Sequence, residues 1–114
     1  MTSIRLYRDR RGLLRGFSVI GHTGSAEAGE DIVCAGVSAL SQTAVNALES
    51  VAGIEAIFHL GEGYLSVRLP RGLSARARHT AQVILRTVRQ GLNDIATAYP
   101  QYVRISQKDW RCKQ

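Results

Sequence analysis

Apolar residues along this 114-residue chain switch between two spacings, and that switching constrains the fold more than any other feature. Ile4 and Leu6 alternate with Arg5 and Tyr7, and Phe17 and Val19 repeat the pattern, the period of a half-buried strand. Asp9, Arg10, Arg11 and Gly12 supply turn chemistry, so residues 3–8 and 13–21 are predicted to pair as an antiparallel hairpin. The spacing then changes. Val33, Val37, Leu40, Ala44, Leu48 and Val51 stand 4, 3, 4, 4 and 3 positions apart, one stripe of a helix over about residues 32–51, with Asp31 as its N-cap and Gly53 closing it. Alternation returns in Ala56-Phe58-Leu60 and Leu65-Val67-Leu69 on either side of Gly61-Glu62-Gly63, which reads as a second hairpin. Pro70 and Gly72 break that strand. Ala77, Ala81, Ile84, Val88, Leu92, Ile95 and Tyr99 mark a second helix ended by Pro100, and Val103 with Ile105 give a final strand before a polar tail. The predicted order is ββαββαβ, an α+β fold with a mostly antiparallel sheet and two helices in one domain spanning residues 1–114.

With 45% hydrophobic and 21% charged residues, such a chain can bury a core without disulfides or a structural metal. The first fifteen residues hold Arg5, Arg8, Arg10, Arg11 and Arg15, which excludes the apolar core of a signal peptide. The longest apolar candidate, residues 32–48, is interrupted by Ser38, Ser41, Gln42, Thr43 and Asn46, far from the roughly 20 apolar residues a membrane crossing needs. A cytoplasmic setting is expected, with Cys34 and Cys112 kept as thiols.

The segment that could carry chemistry is residues 21–34, where Gly21-His22 and Asp31-Ile32-Val33-Cys34 flank a loop of small residues. With Asp31 as cap, Cys34 falls at the third helical position, where free backbone N–H groups and the positive end of the helix dipole favour a thiolate. His22, at the end of a strand, is within reach of that sulfur through the loop, placing a base beside a nucleophile. The same N–H groups could receive an oxyanion during acyl transfer. Each residue also has a plainer reading: Cys34 as a small buried hydrophobe, Asp31 as a cap alone, Ser38 and Ser41 as solvated helix serines rather than cleft-lining groups one and two turns beyond Cys34. Cys112, His59 and His79 read as structural.

Rival chemistries fail on particular positions. A Cys-x5-Arg phosphatase loop needs arginine where Leu40 stands, and a phosphate-binding P-loop needs Gly-Lys-Ser/Thr where this loop ends in Glu30-Asp31. The two cysteines lie 78 positions apart with no paired Cys-x-x-Cys or His-x-x-x-His spacing, so no metal and no cofactor is expected.

The run from Gly21 to Leu40, GHTGSAEAGEDIVCAGVSAL, closely resembles the signature of the ribosomal-processing cysteine protease family (Prp), and the likeness continues through both helices to Tyr99-Pro100-Gln101-Tyr102-Val103. The resemblance implies a homodimeric α+β cysteine endopeptidase. It makes His22 and Cys34 the catalytic pair, Asp31 and Ser38 supporting residues, and Gly21, Thr23, Gly24, Ser25, Glu27, Gly29 and Glu30 a substrate-contacting loop. It also implies a partner: a bacterial large-subunit ribosomal protein whose N-terminal extension is removed. Family members tend to carry aromatic residues near positions 25 and 28 and a basic or polar one at 30, where this chain has Ser25, Ala28 and Glu30, so a somewhat different substrate sequence is expected.

The net charge of +6 raises the alternative of a basic ribosome- or RNA-associated module without catalysis, and a small structural dimerisation domain stands as a third class. The charge is divided, however. Residues 16–67 contain no lysine or arginine and six acids, Glu27, Glu30, Asp31, Glu49, Glu55 and Glu62, for a net −6. The flanks hold all fifteen basic residues against Asp9, Asp94 and Asp109, a net +12. An acidic catalytic segment would attract a basic protein tail, while the basic flanks could face RNA or solvent.

Overall fold

The computed structural model describes residues 1–21 and 29–110. The elements follow in the predicted order: β1 (Thr2–Arg8), β2 (Leu14–Ile20), α1 (Glu30–Ser50), β3 (Ile57–Gly61), β4 (Tyr64–Arg68), α2 (Ala75–Ala98) and β5 (Val103–Asp109). They build one α+β layer pair, a five-stranded sheet in the order β3-β4-β2-β1-β5 carrying two helices. Neighbouring strands are antiparallel except β1 and β5, which run parallel from Thr2 opposite Val103 to Arg8 opposite Asp109.

Register explains which side chains form the core. Leu6 pairs with Phe17, Phe17 with Val67, Ile4 with Val19, and Val19 with Leu65, so all six share one face of the sheet. That face joins Val33, Val37, Ala44 and Leu48 of α1 and Ala81, Leu85, Val88 and Leu92 of α2 in a single buried cluster. Both helices therefore cover the same side. Gly16 permits the close β2–β4 pairing, because a Cβ there would run into the Val67 carbonyl and sit 2.8 Å from Arg68 Cα. On the other flank of β2, the Gln82 side chain of α2 accepts from Leu14 N–H at 2.9 Å and donates to Leu14 C=O at 2.7 Å, satisfying backbone groups beside the register shift at Tyr7/Arg8.

Three expectations are corrected. First, α1 begins at Glu30, and its N-cap is Gly29 in the left-handed region (φ 94°), not Asp31. Glycine reaches that conformation without a Cβ clash, so the helix starts earlier and Asp31 lies inside the first turn. Cys34 is consequently the fifth helical residue rather than the third. Second, Val51 leaves the apolar stripe; it is the C-cap of α1 and 66% exposed. Third, Phe58 (50%) and Leu60 (61%) are exposed although they alternate as core residues should. They lie on β3, the outermost strand, where an open groove lies between them and α1. The final strand is also longer than Val103 and Ile105 suggest, because pairing with β1 continues through the polar residues to Asp109.

Candidate active site

Cys34 projects from the first coils of α1 into an open cleft of about 310 Å³. Four pieces of chain converge there. α1 supplies Cys34, Val37, Ser38, Ser41 and Gln42; β1 supplies Thr2; β2 and the residue after it supply Val19 and Gly21; and the β3–β4 turn supplies Leu60, Gly61, Gly63 and Tyr64. The end of β2 is pinned to that turn by Gly21 N–H donating to Gly63 C=O at 2.8 Å.

Cys34, Ser38 and Ser41 share a helix face because they are four and seven positions apart, so all three border the cleft. Their states differ. Ser41 is buried and donates its hydroxyl to Val37 C=O at 2.7 Å, whereas exposed Ser38 accepts from Gln42 Nε2 at 3.4 Å. Cys34 is partly exposed and a free thiol, and its Sγ lies 3.2 Å from Thr2 Oγ1. One turn N-terminal to the cysteine, the Glu30 carboxylate is 4% exposed and forms an ion pair with the Met1 ammonium at 2.9 Å. Charge near the head of α1 is thus fixed by Met1, the residue that precedes β1.

Of the other sequence-predicted positions, Gly21 lines the cleft, Gly29 caps α1, Glu30 is the buried first residue of the helix, and Asp31 is exposed in its first turn. His22, Thr23, Gly24, Ser25 and Glu27 lie outside the described residues, as does Cys112. His59 is exposed on β3 and His79 on α2, neither among the residues of the cleft. Thr2 and the β3–β4 turn are what the sequence analysis missed. The signal for Thr2 was the inward phase of β1: Thr2, Ile4 and Leu6 alternate together, which puts a hydroxyl where an apolar side chain would be expected.

A second cavity of about 340 Å³ shares Gln42, Leu60 and Leu65 with the first, so the cleft continues as a groove along α1 toward Glu49 and Glu55. Among the described residues no lysine or arginine lines either part. From Cys34 to Glu49 the helix advances roughly 22 Å at about 1.5 Å per residue, and an extended peptide covers that length in roughly seven residues. Among the described residues no helix is long and apolar enough to cross a membrane.

Comparison with known proteins places the chain in a family. The family described as cysteine protease Prp matches residues 1–104. The ribosomal processing cysteine protease Prp of Bacillus subtilis (strain 168) is 37% identical over 106 residues, covering 91% of this chain and 93% of the relative. Among solved structures, SMU.848 from Streptococcus mutans superposes with a TM-score of 0.83 at 29% identity, covering 96% of both chains. The essential ribosomal processing protease Prp from S. aureus, solved in complex with a substrate peptide, has a TM-score of 0.83 at 25% identity, covering 95% of this chain and 100% of its own.

Proposed function

Because the chain belongs to the Prp family of ribosomal-processing cysteine proteases, we propose that it cleaves an N-terminal extension from a bacterial large-subunit ribosomal protein, with Cys34 as nucleophile and His22 as base. The observation that carries this reading is the position of Cys34: a partly exposed free thiol on the wall of a cleft that Gly21, the residue joined to His22, also lines. A buried structural cysteine would have no open space before its sulfur.

In the proposed reaction His22 takes the Cys34 proton and the sulfur attacks the scissile carbonyl. The tetrahedral intermediate collapses to a thioester as the leaving amine takes the proton from His22. Water, deprotonated by the same imidazole, then attacks the thioester; the acid product leaves and the thiol is restored. Ser38 borders the path of the peptide, and Asp31 is assigned to orienting His22 now that Gly29 holds the cap. The groove running from Cys34 to Glu49 is the track for the substrate chain, and Gly21 borders its head. The Cys34→Ala variant, incubated with the extended ribosomal protein and followed by intact mass, is expected to leave the extension in place. Cleavage at the wild-type rate would remove the assignment.

The protein is further read as a cytoplasmic homodimer. The outer face of the sheet supports a second copy there, since Ile20, Ile57 and Tyr64 are exposed on it, beside Trp110. Sedimentation at micromolar concentration is expected to give twice the chain mass; a monomer would remove the dimer from this reading. The non-catalytic RNA-binding alternative gives way, because family and named relative are cysteine proteases.

A further inference from the structure

We propose that the Thr2 hydroxyl is the hydrogen-bond donor that aims the Cys34 sulfur, making the first residue of β1 a positioning residue for the nucleophile. The inference rests on the reading of Cys34 as nucleophile. Thr2 is 2% exposed and lies on the inward phase of its strand with Ile4 and Leu6. A hydroxyl in that position carries a desolvation cost unless it finds a partner, and among the described residues its partner is Cys34 Sγ at 3.2 Å. The approach is imposed from both sides. Thr2 N–H donates to Tyr102 C=O at 2.8 Å and Thr2 pairs with Val103 in the parallel ladder, while the helix holds the sulfur.

The chemistry gives this contact a direction. With a neutral thiol either group can donate, and sulfur is a poor partner in both roles. A thiolate accepts and cannot donate, so the hydroxyl becomes the donor and the bond gains the strength of a charged acceptor. A contact that strengthens when the sulfur is charged holds the attacking form in place and fixes the direction from which it meets a carbonyl in the cleft. The titratable groups on the described elements that build the head of the cleft are Glu30 and Asp31 of α1, the Met1 ammonium held on Glu30, and Tyr64 of β4. They are common to wild type and to variants at position 2, so a difference between those variants reports the hydroxyl.

The experiment uses the full chain with Cys112→Ser, measuring iodoacetamide alkylation of Cys34 against pH alongside peptide cleavage. Thr2→Val keeps the shape and removes the donor. It is expected to be alkylated about tenfold more slowly at neutral pH. Its kcat is expected to fall with KM unchanged, while Thr2→Ser, which keeps the hydroxyl, stays within about twofold of wild type. A valine profile superimposed on wild type, or serine falling together with valine, overturns the proposal. Should the valine variant not fold, Thr2→Ser against Thr2→Ala decides it, since they differ by one oxygen: equal profiles overturn the role, and a slow alanine beside a normal serine supports it. An active Cys34→Ala enzyme would instead remove the underlying reading, whereas an inactive one beside an unchanged Thr2→Val profile removes the role of Thr2 alone.

Discussion

Gly29 shows how one backbone angle places the proposed nucleophile. At φ 94° it occupies a region costly to residues with a Cβ, and the helix that starts immediately after it determines how far into α1 the sulfur of Cys34 lies. Gly29→Ala is expected to destabilise the fold by about 1–2 kcal/mol, the usual cost of a left-handed L-residue. Urea unfolding measures this, and an unchanged midpoint would show that the turn rearranges without strain. At this scale the sequence was informative where spacing decides contact: Ser38 and Ser41 follow Cys34 on one helix face and border its cleft. It was uninformative where partners come from afar. Thr2 and Cys34 are 32 positions apart, and no local pattern links them.

Among the elements, β2 is the strand on which the site depends, because it joins β1 to β4 and ends at the cleft. Its tightest point is Gly16, whose hydrogen faces backbone rather than a side chain that could swing away. Gly16→Ala is expected to cost roughly 1–3 kcal/mol as the β2–β4 ladder yields to the added methyl. Gly36→Ala is the contrasting control. Its Cβ would lie 3.5 Å from Ile95 Cδ1, an ordinary contact, and alanine is the better helix former by roughly 0.5–1 kcal/mol, so this variant is expected to be more stable. Urea midpoints moving in opposite directions support both accounts, and a destabilised Gly36→Ala would mean that the helix interface is tighter than ordinary contact. Both helices were legible from their apolar stripes, although in α2 the buried residue is Leu85 where the stripe pointed to Ile84. That shift reflects how the helix rotates against α1 and the sheet, which periodicity alone does not specify.

For the molecule as a whole, the division of charge along the chain becomes a division in space. The protein carries +6, yet among the described residues the groove leading from Cys34 holds Glu49 and Glu55 and no lysine or arginine. A peptide bearing several lysines is therefore expected to be cleaved with a kcat/KM that falls several-fold as the Debye length shortens from about 30 Å at 0.01 M salt to about 8 Å at 0.15 M. A neutral peptide cut at the same bond should change little. Equal salt dependence for the two peptides would show that the acidic groove does not steer the substrate.

The spacing of apolar residues determined the number, kind and order of strands and helices, because each depends on neighbours a few positions away. The motif around His22 and Cys34 likewise pointed to the family before any contact was known. Tertiary structure decided the rest: the parallel pairing of β5 with β1, the exposure of β3 at the sheet edge, and the meeting of Thr2 with Cys34. These follow from the order in which strands assemble. That order is a balance of long-range burial and hydrogen bonding across the whole chain, and the residues it brings together carry no mark of one another in their local sequence.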